Sequence, residues 1–234
     1  MKALIETIPV YSRVRNLSAL VIDPELNAAS TPVLLFLHGK GEAGSSLNEV
    51  PLVCVHQTPP FQAILGRLRG VEIIAPQVPP LPSKDEWNWR DYVEGLAEFL
   101  RGGRFANRRL VATGFSRGGL GVLQIVSAKP DLLKAWAVID PQPPVDQEEK
   151  TILESLASGS AGWLRYGAFR NRDKAWKRFS SRLADKFLEE NRDNAELDHS
   201  EMALQAYSGR RLSEVRGKKS LYDFLELSFE MQAA

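Results

Sequence analysis

Arg109-Leu110-Val111-Ala112-Thr113-Gly114-Phe115-Ser116-Arg117-Gly118-Gly119-Leu120-Gly121-Val122-Leu123 is an apolar strand that stops at a glycine, turns through a serine and resumes as a helix. In a GxSxG turn the serine is held in a strained backbone conformation. Side chains two residues to either side would then collide with the neighbouring strand and helix, hence the glycines at 114 and 118. The turn lifts the Ser116 hydroxyl to the tip of a sheet with a helix N-terminus behind it, a setting that favours negative charge. An acyl-transfer nucleophile needs that arrangement. The five-residue pattern is short, so its weight comes from the strand before it and the helical run after it.

Upstream, Thr31-Pro32-Val33-Leu34-Leu35-Phe36-Leu37 runs into His38-Gly39-Lys40-Gly41-Glu42-Ala43-Gly44. A continuously apolar strand suits a sheet buried on both faces. The glycine-rich loop after it can turn backbone N–H groups toward the serine. At such a turn the oxyanion hole takes one N–H from the residue after the nucleophile and one from the loop after the third strand. These are Arg117 and either Lys40 or Gly41.

Leu37-His38-Gly39-Lys40-Gly41-Glu42, Gln57-Thr58-Pro59-Pro60, Ile74-Ala75-Pro76-Gln77-Val78-Pro79-Pro80, Trp87 and Gly114-Phe115-Ser116-Arg117-Gly118-Gly119 follow one another in the order seen in α/β-hydrolases. Over roughly residues 30–130 the chain resembles the branch holding phospholipase/carboxylesterases, dienelactone hydrolases and esterase-like predicted peptidases. It departs from that branch at Arg117, where an apolar residue is usual, and at Asp140-Pro141-Gln142-Pro143-Pro144, where a small-residue loop is usual. The resemblance implies a serine hydrolase and no particular substrate.

Composition fits a single α/β domain spanning residues 1–234. Hydrophobic residues at 44% and charged residues at 25% are ordinary for a globular chain, and a net charge of +1 offers nothing to nucleic acid or an anionic membrane. The lone Cys54 excludes an internal disulfide and fits a reducing compartment. No basic start with an apolar run opens the chain, so a cytoplasmic location is expected.

Strands are expected at Ala3 to Arg13, Leu17 to Ile22, Val33 to Leu37, Val71 to Ala75, through the elbow, at Lys134 to Ile139, at Trp163 to Ala168 and, briefly, at Ala195 to Asp198. The first two form an antiparallel entry. Helices are expected at Phe61 to Leu68, Asp91 to Arg101, after the elbow to Pro130, along the Trp176, Phe179, Leu183, Phe187 stripe and from Leu221. Strands alternating with helices predict a mostly parallel sheet with helices on both faces and little or no cap.

A triad adds a base and an acid to the serine. Of three histidines, His38 opens the oxyanion loop and His56 lies upstream of the nucleophile. His199 lies where the order serine, acid, histidine places the base. The acid is Asp173, after the seventh strand, with Asp140 at the end of the sixth as the alternative. Trp87 and Trp89 share one side of an extended proline-rich loop, either walling a substrate pocket or packing in the core. The chain is thus expected to be a cofactor-free, metal-free serine esterase acting on a small-molecule ester. The alternatives are a hydrolase-fold binding protein without turnover, or a peptidase or acyltransferase with the same machinery. Between Pro141 and Ala161 there is room for about one short helix, too little to cover a long acyl chain.

Overall fold

In a computed structural model of the chain, residues 2–8, 16–24, 30–80, 88–144, 146–156, 161–166, 188–192, 199–208 and 221–230 are described. Among these residues eight strands form one sheet: β1 Lys2–Ile8, β2 Leu17–Asp23, β3 Val33–Leu37, β4 Glu72–Gln77, β5 Leu110–Phe115, β6 Ala135–Ile139, β7 Ala161–Tyr166 and β8 Leu188–Arg192. Their order is β1-β2-β4-β3-β5-β6-β7-β8. β2 pairs antiparallel with β1 and β4, and every later pairing is parallel. The described helices are α1 Pro59–Ile64, α2 Val93–Arg101, α3 Arg117–Ala128, α4 Asp146–Leu156, α5 His199–Tyr207 and α6 Leu221–Glu230.

β3 shows why its sequence is apolar throughout. Val33, Leu35 and Leu37 pack with Leu96 of α2 and Val122 of α3. Leu34 and Phe36 pack on the other face with Met202 of α5 and Leu221 of α6. Alternate side chains therefore feed two cores, one per face, as a parallel sheet clad on both sides requires.

At the N-terminal ends of the strands, Glu72 is buried and paired with Arg108 (2.5 Å) and Arg104 (2.9 Å). The Arg108 Nε donates to the Thr31 carbonyl (2.7 Å), so the starts of β3, β4 and β5 share one ionic knot. That knot sits at the end of the sheet away from Ser116.

Most expected elements fall within a few residues of their place. β8, Leu188–Arg192, is a strand that was not expected, and the short strand expected at Ala195 to Asp198 falls outside the described residues. Leu188-Glu189-Glu190-Asn191-Arg192 has a charged, polar composition that hides a strand from sequence patterning. Its register, Gly162↔Leu188 to Tyr166↔Arg192, comes from backbone pairing on a sheet edge, where charges are tolerated and limit further pairing. The Trp176 to Phe187 stripe also lies outside the described residues. Between β6 and β7 the connection holds one 11-residue helix, α4, which packs on α3 and serves as the crossover that a parallel pair needs.

Gly118 is the tightest point of the framework. A Cβ there would overlap the Leu37 carbonyl and lie 2.6 Å from the His38 carbonyl oxygen, both backbone atoms at the end of β3. Gly118→Ala is expected to lower stability by about 3 kcal/mol or more. Gly41→Ala, where a Cβ meets nothing within 4 Å, should stay within about 0.5 kcal/mol of wild type. Denaturant titration of the two variants checks the contrast, and equal effects would contradict the packing account.

Candidate active site

Ser116 caps α3 with φ 56° and ψ −117°, a region ordinary residues avoid. The strain is held by the surroundings. A Cβ on Gly114 would lie 2.8 Å from the Gly119 nitrogen, so β5 and the first turn of α3 meet backbone to backbone. The Ser116 N–H donates to the Ile139 carbonyl (3.0 Å), and the Gln142 N–H donates to the Ser116 carbonyl (3.0 Å). The segment after β6 is thus stitched to the serine on both sides of Asp140.

Asp140 itself has φ 35°, directly after β6, and its N–H donates to the Arg165 carbonyl (2.7 Å). Its buried carboxylate accepts from Nδ1 of His199 through Oδ2. The imidazole of His199 lies against the ring of Phe115, with centroids 4.4 Å apart. That ring belongs to the residue before the serine.

His199 is the first residue of α5, not a residue in a loop directly after a strand. α5 is anchored from below. The Tyr207 hydroxyl meets Thr113 Oγ1 of β5 (3.3 Å), and the Tyr222 hydroxyl of α6 donates to the Tyr207 carbonyl (3.0 Å). Burial pushes both phenols well above their ordinary range. The Arg165 guanidinium of β7 donates to Gln205 (3.1 Å). These ties fix where the N-terminal end of α5 sets its histidine.

Asp173 lies outside the described residues. The carboxylate beside His199 is Asp140, the alternative weighed from sequence. Trp87 is also outside the described residues. Trp89 corrects the expectation of a pocket wall. It is 1% exposed, packs across Gly121 of α3, and donates from Nε1 to the His38 carbonyl (3.2 Å). A Cβ at Gly121 would lie 2.5 Å from the indole, which explains a glycine inside a helix. Trp89 therefore supports the loop after β3 from the core.

That loop begins at His38, which is fully buried. The Val78 N–H donates to Nε2 (3.0 Å), which puts the ring proton on Nδ1, facing the Gly39 carbonyl (2.6 Å). The Gly44 N–H donates to the Val78 carbonyl (3.1 Å), and the Gln77 amide donates to the carbonyls of Glu42 (2.8 Å) and Glu49 (2.7 Å). The end of β4 thus holds the loop in shape. Lys40 and Gly41 sit in a 3-10 turn, Lys40–Glu42, and Arg117 is the first residue of α3. A Cβ on Gly39 would lie 3.5 Å from the Phe115 carbonyl, so the loop abuts the elbow. Sequence reading did not single out Glu42 or Gln77. The only signal was their place beside the glycines and the proline-rich strand end.

No family model matches the chain, and no curated protein matches it at a significant level. Solved structures do. A thermostable esterase superposes with TM-score 0.64 at 18% identity, covering 93% of this chain and 63% of that one. A putative dienelactone hydrolase from Klebsiella pneumoniae subsp. pneumoniae gives 0.62 at 15%, covering 99% and 100%. The thioesterase domain from the curacin biosynthetic pathway gives 0.60 at 13%, covering 89% and 97%. The chain spans less than two thirds of the esterase and the whole of the dienelactone hydrolase. With the strand order and the elbow, these likenesses define the class: the chain has the α/β-hydrolase fold. Among the described residues, no helix is long and apolar enough to cross a membrane.

The buried His38 gives a stability test. Burial lowers its pKa from 6.5 to about 4, against the smaller opposing effect of its bond to the Gly39 carbonyl. The unfolded chain takes up the proton first, so this contribution is complete above pH 6.5 and is lost as the pH falls through 4. The loss is on the order of 3 kcal/mol. Denaturant unfolding at pH 7 and pH 4 should show a smaller pH dependence in His38→Asn than in wild type. Equal dependences would mean His38 does not stay neutral in the fold.

Proposed function

We propose that the protein is a serine hydrolase that cleaves carboxylic esters through Ser116, His199 and Asp140. The observation that carries this reading is the Asp140–His199 pair set against Phe115. The backbone of Ser116 is bonded to Ile139, just before Asp140, and to Gln142, two residues after it. A nucleophile elbow, an imidazole and a buried carboxylate thus share one end of the sheet.

In this reading Asp140 fixes His199 with its proton on Nδ1, which makes Nε2 the basic nitrogen. Nε2 takes the Ser116 proton as Oγ attacks the acyl carbon. The tetrahedral oxyanion is held by backbone N–H groups of Arg117 and of the Lys40–Gly41 turn, with the positive end of α3 behind them. Collapse expels the alcohol, which receives the proton from His199. Water, deprotonated by the same nitrogen, then attacks the acyl-enzyme and releases the acid, and the proton returns to Ser116. The carboxylic-ester preference is supported by the esterase among the similar folds. Fold likeness alone assigns no substrate.

Labelling with a fluorophosphonate is expected for wild type and absent in Ser116→Ala, with ester turnover falling by roughly 10⁴–10⁶-fold. His199→Ala and Asp140→Asn should each be severe, whereas Asp173→Asn should be mild. A severe Asp173→Asn beside a mild Asp140→Asn would move the acid to the segment after β7. Folded wild type that neither labels nor turns over would instead fit a binding protein.

Substrate size follows from the β6–β7 connection, whose helix α4 is spent on packing against α3. With a connection this short, p-nitrophenyl butyrate should be cleaved with higher kcat/KM than the palmitate ester and without interfacial activation. A preference for long chains that rises at a lipid interface would overturn this.

A further inference from the structure

Two imidazole–carboxylate pairs meet the ring of Phe115. One is His199 with Asp140. The other is His56 with Glu42, where the His56 ring centroid lies 6.0 Å from that of Phe115 and Nε2 lies 3.5 Å from Glu42 Oε1. Nothing in the mechanism above uses this second pair.

Its setting is unusual for a carboxyl group. Glu42 closes the Lys40–Glu42 turn with its side chain 6% exposed. A Cβ on Gly39 would lie 3.1 Å from Glu42 Oε2, so the carboxyl group packs directly under the oxyanion loop. Oε2 has no hydrogen-bond partner among the described residues. The Gln77 amide grips the Glu42 carbonyl, which keeps the residue from swinging out to water. Burial pushes the Glu42 carboxyl above its ordinary range, against the pull of His56 and of the nearby backbone N–H groups of Glu42 and Gly39. His56 takes a left-handed backbone, φ 62° and ψ 27°, at a kink within the 3-10 stretch Leu47–Gln57. Its ring is 28% exposed, so it reaches solvent protons that Glu42 does not.

A carboxylate beneath an oxyanion loop opposes catalysis, because the transition state gathers negative charge in that loop. We propose that Glu42 and His56 share one proton, and that this proton keeps the oxyanion loop neutral and sets the alkaline limit of the reaction. The inference rests on the ester-hydrolase reading. With one proton the pair is neutral as carboxylate with imidazolium, the charge state that the 3.5 Å contact suits. Losing that proton leaves a net negative charge under the loop. Glu42 is thus a positioning residue for charge and touches no substrate.

The surrounding ionisable groups do not mimic this step. On the strand ends His38 is held neutral, at about 4, by burial. On the stretch of His56, Cys54 is pushed up to about 11 by burial, and Glu49 is held low by Ser46 and Ser45. From α5, burial keeps Tyr207 well above its ordinary range. Lys40 is an exposed cation of the same turn. His199, paired with Asp140, makes the other ring contact of Phe115.

The test is the pH profile of kcat on a p-nitrophenyl ester for wild type, Glu42→Gln and His56→Asn. Wild-type kcat should fall about tenfold on the alkaline side with KM steady, as expected for one uncompensated charge near the oxyanion. Glu42→Gln should flatten that limb, since no negative charge can form. His56→Asn should bring the fall to lower pH, since Glu42 then holds its proton alone. An alkaline limb unchanged in Glu42→Gln, or a change in KM only, would overturn the proposal. Carboxyl ¹³C NMR of the full chain reads the pair without turnover. Glu42 should titrate at higher pH in His56→Asn than in wild type, and an equal midpoint would also overturn it. Wild type that fails to label with fluorophosphonate would defeat the hydrolase reading alone, and the carboxyl titration would still decide the pair.

Discussion

At Gly118 the first turn of α3 lies so close to the end of β3 that a single carbon has no room beside the Leu37 and His38 carbonyls. This contact brings two otherwise separate pieces of backbone together: the turn that carries Ser116 and the loop that begins at His38. Gly114 repeats the condition on the β5 side. With both closed, the Ser116 conformation follows from its neighbours, and the strain is borne by packing on several sides. The knot of Glu72, Arg104 and Arg108 secures the opposite strand ends, so tension at the elbow is not relieved by strands sliding.

Polar groups behind the elbow are buried and mostly accounted for. His38 uses both ring nitrogens within the fold, Gln77 spans two loop carbonyls, and the Trp89 indole covers the underside while bonding the His38 carbonyl. Such a lattice suits donors that must be aimed before reaction begins, because little reorganisation remains for the moment when charge develops. It also explains why charge must be handled with care here. Behind the elbow, where side chains such as Glu42 are buried, one stray carboxylate acts over a longer distance than it would at the surface.

The elbow, the antiparallel entry, the parallel core and the role of β3 were legible in the residues, because each is local: a glycine spacing, a run of apolar side chains, a helix stripe. β8 was not, since Leu188-Glu189-Glu190-Asn191-Arg192 carries no alternating or continuous apolar pattern. The acid was only half legible. Asp140 and Asp173 both follow strands, and sequence does not say which carboxylate reaches an imidazole 59 or 26 positions further on. Trp89 was left undecided because an aromatic residue in a proline-rich loop suits a wall or a core equally well. Gly121, an otherwise costly residue inside a helix, held the clue that something large crosses there. Glu42 and His56 are 14 residues apart with a kink between them, a juxtaposition no periodicity encodes.

With Asp140 at the tip of β6, the proposed machinery is gathered on β5, β6 and the start of α5, and its acid is bound into the backbone of the nucleophile itself. Residues 167–187, which follow β7, are then relieved of supplying a reactive group. Variation there would leave the reacting groups themselves in place. The two parts then face different constraints: the reacting groups are locked by close packing at Gly114 and Gly118 and intolerant of drift, whereas the segment after β7 carries no duty in the reaction.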